Sequence, residues 1–234
     1  MRVISAPIQL IAAAALVAVL GLLPFDEEIS RAMGGEPEGV RAFLTYATDA
    51  GLIRWYLYPA ALLCLALLLF EFREATRRRR LRLHVFAIHG AYFAAALSAA
   101  AIVTNIFKVL FGRARPVLLD DYGGLAFSMI RFGHEYSSFP SGHSTTMGVV
   151  TAAAMVWFPM LRWPLLAAGA CLAMSRVVVE AHFPSDVAAG FAIGFLAAII
   201  LARWLAMRRV IYRVRRAGQG WRGLVPVRHG AAGA

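Results

Sequence analysis

Charged and turn-forming residues cut this sequence into apolar stretches long enough to cross a bilayer, and that limits the chain to very few architectures. Residues 3–23 carry no charge, and a helix of about 20 residues spans the hydrocarbon core. Further stretches at 52–70, 84–107, 144–161, 165–179 and 187–207 make six. In lipid every backbone N–H and C=O must be paired internally, which at this length means helices. The expectation is an all-α fold, a polytopic membrane bundle of six transmembrane helices over residues 1–207, followed by a basic cytoplasmic tail at 208–234. The composition, 60% hydrophobic and 16% charged, is too apolar for a soluble domain of this size. The first stretch reads as a retained span, because Pro24-Phe25-Asp26-Glu27-Glu28 offers no small-residue cleavage site.

The net charge of +11 is carried mostly by arginines flanking the apolar stretches, so it reads as a topology signal and not as a nucleic-acid footprint. Arg77-Arg78-Arg79-Arg80 with Arg82, then Arg162, then the arginines after 207 all fall on one side of a six-span chain. That side is the cytoplasm, with both termini. The acidic segment 24–51, where Gly34-Gly35 and Pro37 should break any long helix, falls on the opposite, periplasmic face of the inner membrane. The loop 108–143 and the turn at 180–186 fall there too. Cys64 and Cys171 lie in apolar stretches without metal-ligand spacing and read as small buried hydrophobes. No metal site and no cofactor are expected.

Three polar clusters share that periplasmic face although the topology was read from loop charge alone. The first is Lys108, the sole lysine, followed after six residues by Arg115-Pro116. The second is Pro140-Ser141-Gly142-His143. The third is Ser175-Arg176, then His182, then Asp186. Each has an ordinary structural reading: cations snorkelling from a helix end, a turn with an N-cap, and a loop with another N-cap. Snorkelling cations, however, belong mainly on the cytoplasmic side. A Gly-containing turn at a helix start directs free N–H groups toward an anion. His182 and Asp186 are spaced for a carboxylate to orient an imidazole. A helix continuing from Lys108 to Arg115 would put both on one face, two turns apart, with Arg113 pointing elsewhere. Pooled, three cations, two histidines, a carboxylate and an N–H cradle suit phosphoryl transfer, which needs charge balance and in-line geometry more than elaborate covalent chemistry.

The pattern Lys-x6-Arg-Pro, Pro-Ser-Gly-His, Ser-Arg-x5-His-x3-Asp is matched at every position, and the chain therefore resembles the type-2 phosphatidic acid phosphatase superfamily, the lipid phosphate phosphatases, in its bacterial membrane branch. The resemblance implies a catalytic set of His182 as nucleophile, Asp186 as its orienting carboxylate and His143 as general acid. Lys108, Arg115, Ser141, Gly142 and Arg176 would bind the phosphate. It implies a phosphorylated or pyrophosphorylated lipid as substrate: polyprenyl pyrophosphate, phosphatidylglycerol phosphate, phosphatidic acid or the phosphates of lipid A. Vanadium-dependent haloperoxidase chemistry, a lipid phosphotransferase, and a non-enzymatic anion transporter or lipid-binding scaffold are the rival readings. A reporter active only outside the cytoplasm is expected to work when fused after Gly124 and to fail after Arg79; the reverse pattern would put the clusters in the cytoplasm.

Overall fold

The computed structural model describes residues 4–33, 38–69, 76–210, 212–214 and 224–226. Helix α1 (Ala6–Leu22) runs through a 3-10 turn, Leu23–Phe25, into α2 (Asp26–Met33). Helix α3 (Val40–Ala47) passes through the single turn Thr48–Gly51 toward α4 (Arg54–Leu69). The long α5 (Arg77–Phe111) follows, then the short α6 (Leu119–Tyr122), α7 (Gly142–Trp157), α8 (Arg162–Val178) and α9 (Pro184–Met207). A two-stranded antiparallel ribbon pairs β1 (Tyr212–Val214) with β2 (Leu224–Pro226). The rest of the tail lies outside the described residues, as do Gly34, Gly35 and Pro37.

The fold is an apolar helical bundle. Among the described residues five helical segments are long and apolar enough to cross a membrane: Ala6–Met33, Val40–Leu67, Arg78–Phe111, Pro159–Val178 and Pro184–Met207. The expected fourth span, 144–161, differs. Its helix α7 has 16 residues, about 24 Å at 1.5 Å per residue, and ten of them are buried. It is enclosed by α5, α8 and α9. The segment 24–51 also departs from the expected acidic loop. Asp26 starts an amphipathic helix and is fully buried. Cys171, expected to be buried, faces outward from α8.

Helix α7 meets α9 through glycines that let the two backbones touch, which fits packing driven by close approach where lipid offers no hydrophobic gain. A Cβ at Gly194 would stand 1.9 Å from the Thr145 carbonyl oxygen, one at Gly190 2.2 Å from that of Ser141, and one at Gly148 2.2 Å from that of Phe191. This contact seats the Pro140-Ser141-Gly142-His143 turn on the first turn of α9, and the Ser141 N–H donates to the Asp186 carbonyl at 3.0 Å. Replacing Gly194 by Ala is therefore expected to destabilise the detergent-solubilised protein by about 1–3 kcal/mol, whereas Gly21→Ala, with nothing within 4 Å, should not. Equal thermal midpoints for the two variants would refute this packing.

Candidate active site

Helix α5 ends three residues after Lys108. Gly112 adopts the left-handed conformation (φ 50°, ψ 42°) and its N–H caps the Lys108 carbonyl. A Cβ there would lie 1.9 Å from the Ser128 carbonyl oxygen, so the turn requires glycine on both conformational and steric grounds. The helix therefore does not continue to Arg115, contrary to the geometry expected from spacing. Lys108 and Arg115 approach the site by a sharp turn. The Lys108 ammonium donates to the Ser137 carbonyl. Arg115 donates through Nε to the His134 carbonyl at 2.9 Å and through Nη1 to the Ala181 carbonyl at 3.4 Å, beside His182. Burial pushes the Arg115 guanidinium below its ordinary pKa, an effect that the Asp186 carboxylate partly offsets.

Arg113 is the larger correction. It does not point away: it is fully buried between two fully buried carboxylates. Nη1 donates to Asp186 Oδ1 at 2.6 Å and to Ser185 Oγ at 2.8 Å, while Nη2 donates to Asp26 Oδ2 at 2.7 Å and to the Gly124 carbonyl. Its guanidinium carbon stands 4.3 Å from the Phe183 ring centre and 5.0 Å from that of Phe127.

Asp186 Oδ2 accepts from Ser138 Oγ at 2.5 Å and from the Phe183 N–H at 3.0 Å, closing the first turn of α9. The same oxygen lies 3.8 Å from His182 Nδ1, longer than a hydrogen bond. That nitrogen is buried with no hydrogen-bond partner among the described residues. The expected carboxylate–imidazole pair is thus in register but open by about 1 Å; such contacts are often long before substrate binds. Burial pushes the His182 imidazole down to about 4, and Asp186 offsets only part of this. The ring is neutral at pH 7, which is its nucleophilic form.

On the opposite side, His143 stands in the first turn of α7, which Ser141 caps by accepting the Ser144 N–H at 3.4 Å. The turn Thr48–Gly51 packs against it: a Cβ on Gly51 would meet His143 Cβ at 2.8 Å. Thr48 Oγ1 accepts from Arg176 Nη1 at 2.9 Å and from Ser175 Oγ at 3.1 Å. Arg176 Nε is buried with no hydrogen-bond partner among the described residues. A cavity of about 200 Å³ is lined by Lys108, Gly142 and His143 together with Gly51, Thr104 and Asn105. Among the described residues no three His, Cys, Asp or Glu side chains are grouped to hold a metal.

The sequence reading missed Arg113, Asp26, Ser138, Ser185 and Thr48. Asp26 lies 159 positions from Ser185 and Thr48 128 positions from Arg176, the partners they touch, and no spacing rule connects them. Arg113 carried a signal that went unread, a cation two residues before Arg115 at a place where Gly112 stops the helix.

The family model of the PAP2 superfamily matches residues 89–209. Two curated relatives, each called lipid A 1-phosphatase, are 35% identical to this chain. That of Rhizobium etli aligns over 195 residues, 79% of this chain and 80% of its own. That of Rhizobium johnstonii aligns over 190 residues, 79% of this chain and 77% of its own. The crystal structure of a transmembrane PAP2 type phosphatidylglycerolphosphate phosphatase from Bacillus subtilis superposes with a TM-score of 0.56 at 20% identity, covering 83% of this chain and 93% of that one. With its helical bundle and with all three motifs intact, the chain belongs to the PAP2 superfamily.

Proposed function

We propose that the protein removes the 1-phosphate of lipid A at the periplasmic face of the inner membrane, through a phosphohistidine formed on His182. The enzyme is a membrane-embedded lipid phosphate hydrolase. The choice of lipid A rests on one observation, the 35% identity to two lipid A 1-phosphatases across nearly four fifths of this chain. Residues 1–207 form the catalytic membrane domain and 208–234 a basic cytoplasmic tail, a reading supported by the loop charges.

In this mechanism His182 Nδ1 faces Asp186, so Nε2 is the nitrogen left to attack phosphorus. The N–P bond forms as the P–O bond to the sugar breaks; burial and Arg176 push His143 down to about 4, so it takes up its proton as the substrate's phosphate charge enters beside it, and delivers that proton to the leaving oxygen. Lys108, Arg115 and Arg176 offset the charge on the equatorial oxygens, with Ser141 and the Gly142 N–H at the start of α7 adding hydrogen bonds. Water, deprotonated by His143, then attacks the phosphohistidine, releasing phosphate and returning His182 to its neutral form. Because three side-chain cations supply this balance, a divalent ion has little charge left to offset.

Phosphate release from lipid A by the detergent-solubilised full-length protein tests the proposal. His182→Ala should release none, and His143→Ala should lose on the order of 10²- to 10⁴-fold. Near wild-type turnover in His182→Ala would overturn the nucleophile. Release from other lipid phosphates but none from lipid A would overturn the substrate.

A further inference from the structure

Arg113 and Asp26 belong to none of the three motifs, line no part of the cavity that holds Lys108 and His143, and are fully buried. Asp26 also lies outside the segment matched by the family model. A buried charge costs several kcal/mol unless it is paired and hydrogen-bonded, and here both terminal nitrogens of Arg113 are engaged, with Nε left without a hydrogen-bond partner among the described residues. Besides the Arg113 contacts, Asp26 Oδ1 accepts the Ser185 N–H at 2.9 Å, and Oδ2 accepts from Ser185 Oγ. Both residues thus bond directly to Ser185, and Arg113 also to Asp186.

We propose that Arg113, anchored by Asp26, is a positioning residue for the nucleophile: it grips Asp186 Oδ1 and so leaves Oδ2 as the oxygen turned toward His182. The inference rests on the reading of His182 as nucleophile. Arg113 uses separate nitrogens for the two carboxylates, which a compact ammonium could not do. It also supplies positive charge behind Asp186. The groups facing His182 are Asp186 from α9, Lys108 from α5, and Arg115 from the turn after α5. Arg176 of α8 meets it by its carbonyl, which accepts the His182 N–H at 3.2 Å, and Glu180 in the intervening turn is exposed. Against these fixed charges, loss of the Arg113 cation leaves two carboxylates less compensated. That favours the imidazolium and raises the pH at which His182 becomes neutral.

The test measures kcat, KM and the pH dependence of kcat/KM on a soluble phosphate monoester, with full-length protein in detergent and His182→Ala as control. Arg113→Gln should lower kcat by about 10²-fold, as a displaced reacting group does, leave KM within about threefold, and move the acid limb of kcat/KM to higher pH. Arg113→Lys should restore the limb but not the full kcat. Asp26→Asn, which keeps shape, should lower kcat by about tenfold without moving the limb upward, and it decides the matter alone if the Arg113 variants fail to give a monodisperse protein. Unchanged kcat in well-folded variants, or a loss confined to KM, would overturn the positioning role. Turnover in His182→Ala would instead overturn the mechanism on which it rests.

Discussion

One guanidinium, cut off from water between two carboxylates, ties together three parts of the chain that lie far apart in sequence. Arg113 comes from the turn after α5, Asp26 from the start of α2 and Asp186 from the first turn of α9. Removing any one of the three would strand charge in a site without solvent, so the cost of a partial assembly is steep. That steepness gives the site a single arrangement. The loop from Gly112 to Ser138 is held by the same group, through the Gly124 carbonyl and through Phe127 beneath the guanidinium.

Around this cluster the bundle acts as a set of distances. Glycine contacts between α7 and α9 bring the Ser141-Gly142-His143 turn onto the helix that carries Asp186, and the Thr48–Gly51 turn closes against His143 and Arg176 from the other side. Each functional group is placed at or beside a helix end, where backbone groups are unsatisfied and charge is tolerated. Phosphoryl transfer asks for little else: fixed cations, a neutral imidazole at pH 7, and an acid on the leaving side.

Much of this was legible in the sequence because it is local. Polar clusters at the ends of apolar spans stand out, and Lys108, Arg115, His143, Arg176, His182 and Asp186 were singled out from that setting. The bundle was equally plain from the length of the apolar stretches. What stayed hidden depends on contacts between distant segments. Asp26 looks like any acidic residue after a span until its partner Ser185 is seen. Arg113 looked misdirected because seven-residue spacing suggested a continuing helix, whereas the Ser128 carbonyl packed against Gly112 forces a turn. The enclosure of α7 by α5, α8 and α9 is likewise a matter of contacts between distant segments, which hydropathy does not register.

The proposed chemistry requires the phosphoryl group to pass through His182 before it reaches water, and the stereochemistry at phosphorus reports this directly. A substrate whose transferred phosphoryl group is made chiral with oxygen isotopes and sulfur, hydrolysed in labelled water by the detergent-solubilised protein, should give inorganic thiophosphate with overall retention, since two in-line displacements each invert the centre. Inversion would mean a single attack by water, and it would contradict both the nucleophilic role of His182 and the purpose proposed for the buried charges behind it.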